Sequence, residues 1–307
     1  MDEQRHGVSP LPTFTIVVPT RDRPRQLSAC LQGIARLTYP RDRFDVVVVN
    51  DGGEPPEAQI AAGRPVLRVT LVSQPNAGPG VARNTGVAQA SGDYIAFLGD
   101  DCEPGDDWLQ VLAARFAHIP DCLLGGRIVN ALPQNPCSAA SDHLIGYLYA
   151  HYNRDPQQAR FFTPNNLAVP RSLFTALGGF DPSMGSTGED RELCDRWRDR
   201  GHRIIYAPEA IVYHRHPLTL AGFWRQQVGY GRGSRRYRRV QRQPREGTIA
   251  PERLSFYIDL VRFAFARERG WRAWLGAALL GLSQIANAAG FLLEALRERS
   301  RLMRGHR

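Results

Sequence analysis

The chain contains no lysine, so every one of its 39 cationic residues is an arginine. Without a lysine amine, a Schiff-base mechanism and a P-loop phosphate site are both excluded. The five cysteines are odd in number and form no Cys-x-x-Cys pair, which argues against a disulfide framework and a zinc knuckle and fits a reducing cytoplasm. The first residues also lack an apolar core, so we expect no secretory signal.

The chain has 307 residues, 43% hydrophobic content and a formal charge of +9. This is enough apolar material for one large domain or two smaller ones. Apolar runs begin near residues 14, 44, 66 and 93, and helical patterns lie between most of them. The alternation predicts an α/β fold with a mostly parallel sheet and helices on both faces.

The fourth apolar run, residues 94 to 98, ends in the carboxylate pair Asp100-Asp101. Open α/β sheets bind ligands at the carboxyl ends of their strands. Oxygen donors there suit Mg²⁺ or Mn²⁺ shared with a phosphate. The alternative is a solvated turn, with Asp106 and Asp107 capping the next helix.

Two other predicted strands also end in polar loops, at Thr20 to Asp22 and at Asn50-Asp51. In a parallel sheet the carboxyl ends of all strands lie along one edge. We therefore expect the three loops to converge on one ligand, although they are far apart in the sequence.

A glycine-rich segment, residues 76 to 86, follows the third predicted strand. It superficially matches a dinucleotide fingerprint, but Arg83 replaces the third glycine and the unit does not begin at the first strand. We favour a helix start at which backbone N–H groups or Arg83 approach a phosphate. The alternative is a tight loop with Arg83 as a surface cation.

In the second half, Glu189-Asp190 stands at the start of a predicted helix that opens at Ser186 and runs through Trp197. Ser186 and Thr187 have capping-box spacing to the two carboxylates, so these could serve only to stabilise the helix start. His214 and His216, after a predicted strand, offer one metal ligand or are structural.

Residues 218 to 245 contain eight arginines and neither Asp nor Glu. With interleaved aromatic residues, this segment suits anionic lipid, a diphosphate or a solvated helix. A nucleic-acid face is conceivable, but no helix-turn-helix, zinc or RNA-recognition pattern supports it, so we expect no nucleic-acid partner.

The stretch from Trp271 to Leu296 is long enough to span a bilayer, but polar residues interrupt it. On a helical wheel its apolar residues form one stripe and Arg272, Ser283 and Glu294 lie on another face. We favour a helix lying on the membrane over one that spans it, with the tail from Arg297 to Arg307 at anionic headgroups. Packing of the stripe on the protein's own core is the third alternative, and a re-entrant or hairpin arrangement using Phe256 to Ala266 is the fourth.

Taken in order, the motifs resemble a family 2 glycosyltransferase with the A-type nucleotide-sugar fold. The resemblance covers about residues 13 to 216. The stretches that carry it are Val17 to Arg23, Val49 to Gly52, Asn76 to Gly86, Phe97 to Asp101, Gly178 to Asp181, and Gly188 to Asp190.

The resemblance implies a role for each matching residue. Asp51 falls where the family contacts the nucleotide base. The family's Asp-x-Asp motif falls on residues 99 to 101, and Gly99 replaces its first aspartate, so metal ligation rests mainly on Asp101. The family's catalytic base falls on Asp190, and one displacement by one base implies inversion at the anomeric carbon.

These expectations assign residues to four roles. Asn165 and Asn166 are expected to face the acceptor, or else to form a turn. The assigned residues are Asp190 and Glu189 for catalysis; Pro19, Thr20, Arg21, Asp22, Asp51, Arg83 and Asp100 for the nucleotide; Asn165 and Asn166 for the acceptor; and Asp101 and His214 for Mn²⁺ or Mg²⁺.

We thus expect a polar lead over residues 1 to 12, a catalytic domain over 13 to 216 with its nucleotide half at 13 to 104 and its acceptor half at 105 to 216, and a helical, arginine-rich, membrane-associating extension over 217 to 307. The hypothesis is an inverting transfer from a UDP- or GDP-sugar to a saccharide or lipid-linked acceptor, in glycan, glycolipid or cell-envelope polysaccharide assembly. The processive Gln-x-x-Arg-Trp motif is absent, so we expect single transfers.

We expect the protein in the cytoplasm, peripheral on the inner face of the plasma membrane, with a spanning C-terminal helix as the alternative. A catalytically silent nucleotide-sugar or lipid-head-group binding protein is the competing hypothesis, because Gly99 weakens the metal motif.

Overall fold

A computed structural model describes residues 11 to 241 and 253 to 305, with side chains as far as Ser300. Most of the predicted polar lead, the end of the predicted basic segment and part of the arginine-rich tail lie outside these residues.

Within residues 11 to 241 and 253 to 305, eight strands form one sheet in the order β3-β2-β1-β4-β7-β6-β8-β5. The strands are β1 (Phe14–Thr20), β2 (Phe44–Asp51), β3 (Val69–Gln74), β4 (Tyr94–Leu98), β5 (Cys102–Pro104), β6 (Leu123–Asn130), β7 (Asn166–Pro170) and β8 (Ile204–His214). The first four strands are parallel to one another, as are β6 and β8, whereas β7 and β5 pair with their neighbours in the antiparallel sense. The predicted fold class is confirmed.

In the described residues, ten α-helices cover the sheet and extend beyond it. They are α1 (Pro24–Ala35), α2 (Glu57–Gly63), α3 (Pro79–Ala88), α4 (Trp108–His118), α5 (Pro136–Tyr152), α6 (Arg171–Ala176), α7 (Glu189–Asp199), α8 (Leu220–Val240), α9 (Leu254–Arg267) and α10 (Trp271–Gly305).

Both faces of the sheet are buried, which explains the unbroken apolar runs. On β1, Ile16 packs into one core cluster with Leu27 of α1. Its neighbour Val17 points to the opposite face and packs into a second cluster with Val87 of α3. Successive strand residues alternate between faces, so one apolar run serves two cores.

One local prediction was wrong. The third strand begins at Val69 and not near residue 66, because α2, which was not predicted, and a turn occupy the residues before it. The strand that precedes His216 is β8, whose register with β6 shifts after Gly126.

Parallel pairing aligns the polar strand ends along one edge. Thr20 of β1 pairs with Asn50 of β2, and Asp51 pairs with Gln74 of β3. The loop after β4, which carries Asp100 and Asp101, opens on the same edge. The predicted convergence of these loops is therefore realised, and it positions the site described below.

The long helix α10 lies against α8 with the two backbones in direct contact. A Cβ atom added to Gly231 of α8 would lie 1.9 Å from the Asn287 carbonyl oxygen, and one added to Gly290 of α10 would lie 2.0 Å from the Val228 carbonyl oxygen. Any larger residue at either position would force the helices apart.

The face of α10 that packs on the protein carries both polar and apolar residues. Ser283 and Glu294 are buried, and Leu279 and Leu280 belong to two hydrophobic core clusters. Trp271, Trp274 and Leu292, in contrast, are 70%, 71% and 62% exposed. Packing of the apolar stripe on the core, the third alternative above, therefore holds for Leu279 and does not hold for these three exposed residues. Within the described residues, α10 is the one helix long and apolar enough to cross a membrane.

Exposed apolar side chains continue onto α9. Its exposed residues recur at helical spacing, and Phe265 of α9 contacts the ring of Trp274 on α10. We call this the outward apolar face; its exposed members are Leu254, Tyr257, Ile258, Val261, Phe265, Trp271, Trp274, Ile285, Leu292, Leu293 and Leu296.

Candidate active site

A cleft of about 1170 Å³ runs from the polar edge of the sheet to helices α5, α8, α9 and α10. Its sheet end is polar, and its helical end carries both apolar side chains, such as Leu144 and Phe256, and polar ones, such as Gln284 and Asn287. The predicted residues in its lining are Pro19, Thr20, Arg21, Asp51, Arg83, Asp100, Asp101, Asn165, Glu189, Asp190 and His214.

Asp51, at the end of β2, organises the glycine-rich loop. Its carboxylate accepts hydrogen bonds from the backbone N–H groups of Ala77 and Gly78 at 2.8 and 2.9 Å, and from the Gln74 amide at 2.8 Å. The carboxylate is nearly buried and fixes the loop that leads into α3.

Asp100 is held by the loop that follows β1. The Thr20 hydroxyl donates to one of its oxygens at 2.8 Å, and the Arg23 guanidinium donates to the other at 3.1 Å. Burial and the neighbouring Asp101 raise the pKa of Asp100, and the Arg23 and Thr20 contacts oppose that rise. The same Arg23 nitrogen lies 3.1 Å from Asp101, so one cation bridges both carboxylates.

Asp101 lies between two imidazoles. His214 Nε2 is 3.3 Å from one carboxylate oxygen and His216 Nδ1 is 3.0 Å from the other. Burial by itself would raise the pKa of Asp101, but the hydrogen bonds and charges of His214 and His216 outweigh it and hold the pKa well below its usual value. One ligand atom from each of the three residues lies within 4.8 Å of the others.

This trio fits a divalent cation. One carboxylate and two imidazoles converge on one point from the end of β4 and the end of β8, and all three are at least partly buried. Such a mixed nitrogen and oxygen set suits transition metals better than Mg²⁺, which prefers oxygen ligands.

Gly99 lies so close to Asp101 and Asn165 that a side chain at this position would contact both. A Cβ atom at position 99 would lie 3.0 Å from an Asp101 carboxylate oxygen and 3.2 Å from the Asn165 amide oxygen. An aspartate side chain would have to displace one of these groups, so the glycine is matched to the two neighbours.

Glu189 and Asp190 open α7 at the floor of the cleft. Glu189 is buried and paired with Arg83, whose guanidinium lies 3.2 Å away. Burial and the adjacent Asp190 raise the pKa of Glu189 to about 7, although Arg83 opposes the shift. Burial also raises the pKa of Asp190, against the influence of Arg191. Arg83 is therefore a buried partner of the carboxylate pair and not a surface cation.

The capping-box alternative for this helix start was wrong. Gly188, with φ of 94°, occupies the N-cap position, and no side chain caps the helix. The Thr187 hydroxyl instead donates to the Gly229 carbonyl of α8 at 2.8 Å. The prediction that Asp107 caps helix α4 was also wrong. Asp107 occupies the N-cap position, but its side chain makes no capping hydrogen bond.

Two predicted residues do not line the cleft. Asn166 is buried in β7, where its amide donates to the carbonyls of Arg127 and Ala210 and accepts from Trp108. These bonds hold it in the sheet, so the prediction that it faces the acceptor is corrected. Asp22 is exposed, with φ of 53°, and its nearest charged partner is Arg21 at 3.6 Å.

The sequence interpretation missed several lining residues. His216 was treated as an alternative to His214, although residues two apart in an extended chain point to the same side. Arg23 follows β1 at the end of a motif stretch, but it was assigned no role. Gln226 and Tyr230 come from α8, and only the tertiary packing brings them to the cleft.

Two family models match the chain. One, described as glycosyl transferase family 2, matches residues 15–178, and one described as glycosyl transferase family group 2 matches residues 140–294. The first match spans more than half of the 307 residues. The chain belongs to glycosyl transferase family 2. Membership confirms the resemblance drawn from the sequence motifs.

Curated relatives of this glycosyl transferase family 2 chain include two from distant organisms. Over 229 residues, the chain is 31% identical to a pre-mycofactocin glycosyltransferase of Mycobacterium tuberculosis, a match that covers 71% of this chain and 46% of the relative. It is 25% identical over 210 residues to glycosyltransferase AglE of Haloferax volcanii, covering 67% of this chain and 68% of that one. The chain thus spans about half the length of the first relative.

Solved structures share the fold of this family 2 chain. A mannosyltransferase from Pyrobaculum calidifontis, in complex with GDP-Man and Mn²⁺, superposes with a TM-score of 0.64 at 19% identity, covering 92% of this chain and 87% of that one. S. aureus TarS in complex with UDP-GlcNAc gives 0.53 at 16% identity, covering 94% and 92%. At these identities the likeness establishes the fold alone.

Proposed function

We propose that the protein is an inverting, single-transfer glycosyltransferase that moves a sugar from a nucleotide-diphosphate donor to the hydroxyl of a lipid-linked acceptor. The observation that carries the proposal is that Asp51, Asp101 and Asp190 line one cleft. They come from three separate strand or helix ends, which is how α/β enzymes assemble a site.

Asp190 is the proposed base. One of its oxygens accepts the Arg191 backbone N–H at 2.8 Å, and the other remains for the proton of an acceptor hydroxyl. Because burial raises its pKa, its carboxylate is a stronger base at neutral pH than an exposed aspartate. A single in-line displacement with this base inverts the anomeric carbon.

Glu189 and Arg83 support that base. Their buried ion pair fixes the start of α7, and Arg83 also lines the cleft, where its charge faces the diphosphate of a donor. We assign Glu189 a catalytic supporting role through this pair and Arg83 a role in nucleotide binding.

Asp101, His214 and His216 would hold the divalent cation. The two imidazoles favour Mn²⁺ over Mg²⁺. When bound there, the cation would neutralise charge on the departing nucleoside diphosphate. The solved mannosyltransferase with GDP-Man and Mn²⁺ supports this choice.

The polar end of the cleft is the proposed nucleotide site. Pro19, Thr20 and Arg21 line it from one side, and Asp51 with the loop it organises lines it from the other. Asp100 supports this wall through Thr20 and Arg23. The complexes of the two structural relatives with GDP-Man and UDP-GlcNAc support a GDP- or UDP-sugar donor.

The opposite end of the cleft supports a lipid-linked acceptor over a free saccharide. Leu144, Leu148, Phe256 and Leu292 line it, and Asn165 lines the cleft beside Gly99. Leu292 also belongs to the outward apolar face, so the cleft opens onto that face. A lipid chain would lie on apolar side chains while the hydroxyl of its sugar head reaches Asp190.

The outward apolar face supports attachment to the inner surface of the plasma membrane. Exposed apolar side chains of α9 and α10 would enter the lipid, and nearby arginines would meet anionic headgroups. This arrangement favours a helix lying on the membrane over one that spans it.

A screen of nucleotide sugars tests the proposal. The full chain is incubated with UDP- and GDP-sugars, Mn²⁺ and a polyprenyl-diphosphate-linked saccharide as acceptor, and release of nucleoside diphosphate and the anomer of the product are measured. Release with one donor and an inverted product is expected. Mn²⁺-dependent UDP binding without release would instead favour the catalytically silent binding protein.

A further inference from the structure

One guanidinium joins three segments beside the catalytic helix. Arg236 of α8 donates through Nε to the Met184 carbonyl at 2.7 Å and through Nη2 to the Thr187 hydroxyl at 3.2 Å. Its Nη1 lies 3.3 Å from a carboxylate oxygen of Glu294 on α10. Both charged side chains are mostly buried, so the contact is shielded from solvent.

The segment that Arg236 holds, residues 184 to 188, leads directly into α7. It is packed tightly on both sides. A Cβ atom added to Gly78, in the loop organised by Asp51, would lie 3.1 Å from the Gly185 carbonyl oxygen, and one added to Gly233 of α8 would lie 2.4 Å from the Thr187 hydroxyl. The position of this segment therefore sets where α7 begins.

We propose that Arg236 is a positioning residue for the transfer reaction. It fixes the proposed catalytic carboxylate pair, Glu189 and Asp190, relative to the nucleotide loop, and through Glu294 it links both to helix α10. The inference rests on the proposed function. Arginine suits the role because its planar fork presents N–H groups in several directions. A lysine amine carries the charge on one atom and cannot reproduce the three contacts.

A neighbouring ion pair provides a matched control. Arg235 of α8 pairs with Glu298 of α10 at 2.9 Å. This pair joins the same two helices, with its arginine one residue before Arg236 and its glutamate one helical turn after Glu294. In the part of the chain that the structure describes, Arg235 makes no hydrogen bond to residues 184 to 188. It therefore shares the helix-joining contact of Arg236 but not the contact with the catalytic segment.

The experiment compares Arg236→Lys, Glu294→Gln and their double variant with Arg235→Lys and Glu298→Gln in the full chain. The donor that the wild-type protein turns over is used, and kcat, donor KM and Tm are measured. We expect the Arg236 and Glu294 variants to lose about tenfold or more in kcat with donor KM nearly unchanged, because a small displacement of a base lowers the rate steeply. The double variant should lose less than the product of the single losses.

The control variants should lower Tm comparably while leaving kcat within about twofold of wild type. The inference would be overturned if the Arg236 and Glu294 variants had the same kcat as the Arg235 and Glu298 variants. It would also be overturned if the loss of kcat in the double variant equalled the product of the two single losses. If Arg236→Lys does not fold, Glu294→Gln, which keeps the side-chain shape, gives the same comparison. A wild-type protein that turns over no donor contradicts the proposed function, whereas normal wild-type turnover with equal pairs contradicts the positioning role alone.

Discussion

The sheet and the C-terminal helices distribute their apolar residues differently. In the sheet, strands such as β1 and β4 bury their apolar residues on both faces and leave polar groups at the strand ends. In α10, the polar Ser283 and Glu294 are buried beside Leu280, whereas Trp274 and Leu292 face outward.

This difference indicates two surroundings for one chain. The sheet is patterned for water outside and an apolar core inside. The α8–α10 pair is joined by polar bonds such as that between Asn287 and Gln227 at 3.0 Å, and it leaves an apolar surface that water does not favour. The proposed chemistry is at the sheet edge, and the proposed attachment to a membrane is at the helices.

Asp190→Asn is expected to give the largest effect, and to affect the sheet edge without affecting the outward apolar face. Removing the base should lower the rate of transfer by about a thousandfold, within the range of general-base contributions. Steady-state kinetics with the selected donor checks this, and binding to anionic vesicles should stay unchanged. Asp199→Asn, at the other end of α7, serves as the control. A folded Asp190→Asn protein that transfers sugar at the wild-type rate would remove Asp190 from the mechanism.

The buried carboxylate pair should also make stability depend on pH. Burial and Asp190 raise the pKa of Glu189 from 4.5 to about 7, so between these values the folded state holds a proton that the unfolded state has lost. The free energy of unfolding should therefore fall as pH rises through this window, by at most about 3 kcal/mol from this group. Glu189→Gln should remove that slope in denaturant unfolding followed from pH 4 to 8.

Glu209→Gln is a control of opposite sign. Burial acts to raise the pKa of Glu209, but the hydrogen bond from Arg115 outweighs it and lowers the pKa below 4.5. Its stabilisation is present above pH 4.5 and is lost as pH falls through the lowered pKa. If Glu189→Gln keeps the wild-type slope between pH 4.5 and 7, the buried pair does not titrate as described.

A smaller effect is expected at the metal trio. His216→Ala should raise the Mn²⁺ concentration needed for half-maximal binding by at least about tenfold, since even the loss of groups that support a ligand costs this much. Electron paramagnetic resonance titration of Mn²⁺ measures binding without the reaction. His118→Ala, at the end of α4, is the control, and equal affinity in the two variants would exclude His216 as a ligand.

The smallest effect concerns the outward apolar face. Trp274→Gln combined with Leu292→Gln should lower partitioning into anionic vesicles by about tenfold, because both side chains lose apolar area that lipid would cover. Tm should change little, since both side chains are exposed. Val66→Gln, 56% exposed beside the sheet, is the control. Unchanged pelleting with vesicles would separate this face from membrane binding.

Much of the sheet edge was predictable from the sequence. The apolar runs of β1, β2 and β4 and the polar residues that end them are local patterns, and parallel pairing brings them together. The family motifs then assigned Asp51, Asp101 and Asp190 to one site. His216 was also within reach of sequence reasoning, because it shares a side of the extended chain with His214.

Other features depended on contacts between distant residues. Asn165 and Asn166 are adjacent and chemically identical, yet one lines the cleft and the other bonds three groups inside the sheet. The start of α7 has capping-box spacing, but Thr187 bonds to α8 instead. In both cases the alternative partners lie far along the chain, and the spacing of residues does not reveal them.

The amphipathic pattern of α10 was determined by the sequence, because the order of residues fixes which of them share a helical face. Which face packs inward was decided only by the tertiary structure. The choice depends on whether α8 offers apolar or polar partners, and α8 presents Gln227, Arg235 and Arg236 together with the close backbone approach at Gly231. Those partners pair with polar residues of α10, which turn inward together with Leu279 and Leu280, and Trp274 and Leu292 are left outside.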